Sequence, residues 1–179
     1  MAGTYTINFT NDSDVSFDRS LYGLYRVDRE NPEKSFKCKN LLISSTKSPN
    51  KVLMAEVGSQ SVSVETNDLT SLIADGGYKD ILCVWRNRIT GERFGISIHA
   101  PLQVFTVGTA PYYLVMSDTT SEANPDSEPL WQTTGMDPSE QYTWANFAGI
   151  SITATPTARH QDMSIEVLIT NSQNVNKVC

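Results

Sequence analysis

Polar and apolar residues alternate along most of this chain, and the dominant period is two. Tyr5, Ile7 and Phe9 alternate with Thr4, Thr6, Asn8 and Thr10, the pattern of a strand with one face buried and one in water. That strand stops at Asn11-Asp12-Ser13-Asp14, residues whose side chains bond nearby backbone and favour turns. Residues 21–27 predict a second strand with Gly23 inside it as a bulge. Residues 28–39 are polar and charged and predict a loop, and short strands are expected at 52–57 and 62–65 on either side of Gly58. Residues 68–73 predict a single helical turn, capped by Asp68 and ended by Gly76-Gly77.

The clearest hairpin follows. Residues 81–85 and 93–98 are apolar runs flanking Asn87-Arg88-Ile89-Thr90-Gly91-Glu92, where Gly91 supplies the positive φ of a tight turn. After Pro101 come apolar runs at 102–107 and 112–116, then a polar loop at 117–129 with two prolines. Residues 141–147 are rich in aromatics. Residues 150–154 and 163–169 alternate again as a closing hairpin joined through 156–161. About ten short strands, with at most one or two helical turns, predict an all-β, antiparallel β-sandwich over residues 1–179 as one domain. No internal repeat supports a propeller.

Composition narrows the partners. With 179 residues and 39% hydrophobic positions, the chain has material for a sizeable core, and a domain this long buries roughly 70% of its unfolded surface. It therefore needs no disulfide. The net charge of −6 and pI near 4.8 set it against phosphate backbones, so nucleic acid is not an expected partner. The basic stretches, Lys34/Lys37/Lys39 and Arg86/Arg88/Arg93, are interrupted by other residues. No signal-peptide pattern or 18-residue apolar run is visible, so no transmembrane segment is expected and the compartment expected is the cytoplasm. Cys38, Cys83 and Cys179 are an odd number without metal-type spacing, and Cys83 reads as a buried small hydrophobe. Asn8-Phe9-Thr10 and Asn11-Asp12-Ser13 match the N-glycosylation pattern but stay idle in that compartment.

Candidate chemistry is sparse. The two histidines are His99, at a strand end, and His160, in a turn; each has a structural imidazole as its alternative reading. A two-histidine, one-carboxylate metal site would need both brought together with Asp162 or Glu92. No spacing requires that, so no metal and no cofactor are expected. There is no nucleophile elbow, phosphate loop or dinucleotide fingerprint, and neither Cys83 nor Cys38 has a local base to activate it. The aromatics are more informative: Tyr112-Tyr113, Trp131, Tyr142, Trp144 and Phe147 all fall in the second half. Tyr112 and Tyr113 are adjacent in a strand and must point to opposite faces. Rings with an apolar face and a polar edge suit sugar rings or lipid headgroups, core packing being the alternative.

Thr4-Tyr5-Thr6-Ile7 running through Asn11-Asp12-Ser13 to Tyr25-Arg26, then residues 90–99 ending at His99, then residues 163–169 occur in an order that resembles the actinoporin-like β-sandwiches. That fold is shared by sea-anemone pore-forming toxins and fungal fruit-body lectins. The resemblance covers about half of the chain and implies a ligand loop after the second hairpin strand, with His99 in the site. The toxins' amphipathic helix has no counterpart ahead of Thr4. Ala100-Pro101 follow His99 where the lectins place a polar partner for the sugar.

The leading expectation is a lectin-like binding module that recognises a glycan or lipid headgroup through His99, Arg86, Tyr112, Tyr113, Trp131 and Trp144. The alternative is a cofactor-free isomerase, cyclase or lyase acting on a small hydrophobic metabolite in an interior pocket. A third class, a self-associating homo-oligomer, accommodates the acidic charge but explains none of the aromatics.

Overall fold

The computed structural model describes residues 3–26, 36–37, 43–47, 52–56, 58–66, 78–101, 112–117, 131–147, 149–159 and 162–172. Within them are thirteen strands and no helix: β1 (Gly3–Asp12), β2 (Phe17–Arg26), β3 (Phe36–Lys37), β4 (Ile43–Lys47), β5 (Val52–Leu53), β6 (Gly58–Thr66), β7 (Tyr78–Asn87), β8 (Arg93–Pro101), β9 (Tyr112–Ser117), β10 (Trp131–Met136), β11 (Tyr142–Phe147), β12 (Ile150–Arg159) and β13 (Asp162–Asn171). They form two sheets. The first has the order β11-β12-β13-β1-β6-β4; the second runs β10-β9-β8-β7-β2-β3, with β5 also paired to β2. The fold is an all-β sandwich.

Alternation builds the interior. Tyr5, Ile7 and Phe9 of β1, Ile152 and Ala154 of β12, and Met163, Ile165, Val167 and Ile169 of β13 point inward from the first sheet. Ile81, Cys83 and Trp85 of β7, Phe94, Ile96 and Ile98 of β8, and Tyr112 and Leu114 of β9 meet them from the second. The seam between the sheets is aromatic. Phe9 lies edge-on to Trp85 at 5.6 Å and to Phe94 at 6.4 Å, and Phe17 lies edge-on to Phe94 at 5.4 Å. Edge-to-face geometry sets positive ring edges against negative faces and adds about 0.5–1.5 kcal/mol per pair to the burial. Leu82 and Val84 are fully buried on the other face of β7, so that central strand is enclosed on both sides.

The turns follow their side chains. Asn11 is fully buried; its Nδ2 donates to the carbonyls of Val15 (2.7 Å) and Met54 (2.9 Å), and its Oδ1 accepts from the N–H and Oγ–H of Ser13. One side chain thus ties the β1–β2 turn to the β5–β6 connection, and its amide is committed to that task and not open to glycosylation. Gly58 is required where β6 begins, because a Cβ there would collide with the Met54 carbonyl. In the β7–β8 hairpin Gly91 adopts φ 77°, as its turn position predicts. Asn87 Oδ1 accepts from the N–H groups of Ile89 and Thr90, which shapes the same turn.

Several expectations are corrected. β1 and β13 pair in parallel, so the sandwich is not wholly antiparallel. The bulge in β2 falls between Arg19 and Leu21, while Gly23 pairs regularly with Leu82. Strand β3 lies in the stretch predicted as loop, and the strand predicted at 52–57 is only Val52–Leu53 before a turn at Ala55–Glu56. Strand β10 had no alternating signature. Strand β12 runs through Pro156 to Arg159, so the closing hairpin turns later than expected. Pro156 is tolerated because β11 pairs β12 only from Ile150 to Ala154, which leaves β12 at Pro156 as an edge. The helical turn predicted at 68–73, the run at 102–107, the loop beyond Ser117, Cys38, Cys179 and His160 lie outside the described residues.

Cys83 is free and fully buried, and burial pushes its thiol pKa up. Native protein should therefore leave Cys83 unmodified by a thiol reagent, with its signal appearing only in denaturant and vanishing in Cys83→Ala. Rapid native labelling of Cys83 would contradict the packing. Phe9→Ala should lower the unfolding free energy in urea by about 3–5 kcal/mol, since it removes a fully buried ring packed edge-on to two others, Trp85 and Phe94. A loss below about 1 kcal/mol would mean that the seam carries little of the stability.

Candidate functional site

The β7–β8 register separates the residues expected to share a pocket. Arg86 pairs with Arg93 beside the Gly91 turn, whereas His99 pairs with Asp80 near the opposite end. Six residues of strand place them about 20 Å apart. The backbone joins Arg86 instead to the Trp131 end, because Arg93 pairs with Ser117 and Ser117 with Trp131. His99 follows Ile98, whose partner on β9 is Tyr112, and Tyr113 pairs with Ser97; the expected antiparallel return of β9 beside His99 is therefore present. The six predicted residues fall into three places: Arg86 with Trp131, His99 with Tyr112 and Tyr113, and Trp144 on the other sheet.

Tyr112 is the inward member of its pair. It is fully buried, and its hydroxyl donates to the Glu140 carbonyl at 3.3 Å. It works as a strut beneath the β10–β11 crossover and offers no surface to a ligand. Burial, then the neighbouring Tyr142 and Asp137, push its phenol pKa up to about 12.

That crossover, residues 137–141, carries the chain from one sheet to the other. Asp137 Oδ1 accepts from the N–H and Oγ–H of Ser139 at 2.8 and 2.6 Å, contacts that hold its carboxyl below the usual range. Beyond it, Tyr142 and Trp144 stack with ring centroids 6.3 Å apart and planes 23° from parallel. They pair with Ala154 and Ile152, so they lie on the inner side of the edge strand β11. Both rings are half-buried, packed on the core by one side and open at the sandwich edge. Tyr142 was legible as an aromatic beside a polar segment; its stacking partner two residues on follows from strand alternation.

The outer face of the first sheet is rich in hydroxyls. Its rungs read Thr157–Ser164–Thr6, then Thr155–Glu166–Asn8–Ser61, then Thr143–Thr153–Leu168–Thr10–Ser59. Ser61 Oγ donates to Asn8 Oδ1 at 2.8 Å, Asn8 Nδ2 to Glu166 Oε1 at 2.6 Å, and Gln141 Nε2 to Thr155 Oγ1 at 2.8 Å. At one end of this face is an open cleft of about 370 Å³ bounded by Thr4, Thr6, Thr157, Asp162, Met163 and Ser164. Among the described residues no group of three His, Cys, Asp or Glu is placed to hold a metal, and no helix is long and apolar enough to cross a membrane.

Neither the protein-family models nor the curated proteins yield a match to this chain.

The Tyr112 phenol gives a test of the crossover. Its neutral form is favoured by folding, so its contribution to stability is complete below pH 10 and is lost as pH rises through about 12. Ultraviolet titration of the tyrosinates should show a late phenol that disappears in Tyr112→Phe. Titration of every phenol near pH 10 would remove Tyr112 from the buried position.

Proposed function

We propose that this protein is a glycan-binding module that engages sugar rings at the β11 edge. The Tyr142–Trp144 stack carries this reading: two half-buried, near-parallel rings fixed from behind by the core and flanked by a polar turn. A pyranose presents an apolar C–H face, which packs on such rings, and a rim of hydroxyls that needs polar neighbours. Ser139, Glu140 and Gln141 are exposed beside the rings and supply them. Rings held rigid before binding lose little side-chain entropy when the ligand arrives.

Charge favours a glycan over an anionic headgroup. The chain carries −6, and Asp12, Asp162 and Glu166 lie on the outer face of the sheet that ends in β11. The enzyme alternative calls for an open interior, whereas the interior positions described hold close-packed side chains, Tyr112 among them. The actinoporin-like resemblance points the same way, toward the lectin branch of that fold, although His99, on β8 of the second sheet, does not belong to this edge.

The test is a glycan array run beside neutral and anionic lipid vesicles. Binding to at least one glycan class, and not to vesicles, is expected. Trp144→Ala should weaken it by about 1.5 kcal/mol, roughly tenfold, and Trp144→Phe should restore most of the loss. Thermal melts of both variants separate lost binding from lost packing. An array without binders, or affinity untouched by Trp144→Ala in a folded protein, would overturn the reading.

A further inference from the structure

The cleft at the Asp162 end is made by register. Alternation sets Thr4 and Thr6 opposite the core residues Tyr5 and Ile7, and sets Asp162 and Ser164 on either side of Met163. The parallel β1–β13 pairing brings Thr6 level with Ser164, and the β12–β13 hairpin brings Thr157 level with the same residue. Asp162 stands at the mouth, where the Thr4 N–H donates to its Oδ1 at 2.7 Å and fixes the plane of the carboxylate. Met163 lies between Asp162 and Ser164 at the base of the cleft, with its side chain turned to the other face, into the core.

The lining chooses among ligands. Four hydroxyls can each donate and accept, and an ionised carboxylate only accepts. A phosphate or carboxylate ligand would face the Asp162 charge, and none of the six lining residues is cationic. A hard cation asks for six or more oxygens including several carboxylates, and one carboxylate stands here. An apolar molecule would strand the hydroxyls without partners. What remains is a neutral molecule with many hydroxyls of its own: its donors meet Asp162, its acceptors meet the Thr and Ser hydroxyls, and its C–H groups meet the methyl groups of the three threonines. The volume, about 370 Å³, lies within the usual range for small-ligand sites.

We propose that this cleft is a saccharide site for neutral, polyhydroxylated ligands, with Asp162 as its principal acceptor. It uses residues of β1, β12 and β13 and none of the Tyr142–Trp144 edge, so it stands or falls separately from that reading. Along β12 the two surfaces are close: Thr157 lies three residues, about 10 Å, beyond the Ala154 rung of Tyr142. The Gln141–Thr155 hydrogen bond occupies the space between them.

The experiment is a backbone amide NMR titration of the full chain with D-glucose, D-galactose, D-mannose, maltose and lactose, with inorganic phosphate and calcium chloride as further arms. At least one sugar should shift the Thr4, Thr6 and Ser164 amides saturably. Asp162→Asn keeps the Oδ1 acceptor for Thr4 and the shape of the cleft, so fold should be retained while the affinity falls roughly tenfold to hundredfold. Ser164→Ala should weaken the same sugar to a smaller extent. In Trp144→Ala these shifts should persist, which separates this cleft from the aromatic edge. The proposal is overturned if no sugar in the panel shifts the three amides. It is also overturned if phosphate or calcium shifts them in place of sugars, or if Asp162→Asn leaves the affinity unchanged.

Discussion

The parallel pairing of β1 with β13 is the constraint on which the rest of the molecule depends. Eight consecutive residue pairs, from Tyr5↔Met163 to Asp12↔Thr170, join the first described strand to the last at the centre of one sheet. Parallel neighbours cannot be joined by a tight turn, and here everything between them in sequence serves as the connection. That connection includes the entire second sheet. Closing so long a loop costs entropy before any contact repays it, so the pair must be specified strongly. Specification comes from pleat: a slip of one residue would turn Ile7 and Phe9 outward and Thr6 and Asn8 into the core.

From that pairing both faces of the sheet acquire their character. Inward, Phe9 reaches Trp85 and Phe94 on the opposite sheet, and the edge-to-face contacts lock the two layers. Outward, the same register aligns Thr, Ser and Asn of β12, β13, β1 and β6 in rungs and closes the cleft between Thr4 and Asp162. Among the described residues Leu168 is the one exposed large apolar side chain on this hydroxyl-rich face. The surface read as glycan-binding is thus the reverse side of the packing that stabilises the fold.

The edge strand β11 has a different origin. Its rings are half in the core because β11 ends the sheet and, among the described residues, has no neighbour on one side. The crossover from β10 is held by Tyr112 from below and by the Asp137–Ser139 contacts within the turn. Local hydrogen bonds and exposure coincide there.

Alternation was enough to read β1 and β13, because a half-buried strand must repeat every two residues, and apolar runs on either side of a turn signature were enough to read β7 and β8 and the burial of Cys83. That Tyr112 is the inward member of its pair was not read. Gly91 and the Asn11 turn were equally legible, since positive φ and local side-chain bonds are set within a few residues. Strand β10, Trp-Gln-Thr-Thr-Gly-Met, could not be read: it lies at a sheet edge, where one-sided pairing and not a hydrophobic face makes it a strand. Nor could Pro156, whose place in β12 depends on where β11 stops. Membership of one strand or one turn is decided by neighbours in sequence. The separation of Arg86 from His99, the stacking edge at Tyr142 and Trp144 and the Asp162 cleft were decided by register between strands. That register comes from contacts far apart along the chain, and a periodic pattern carries no record of which strand it will face.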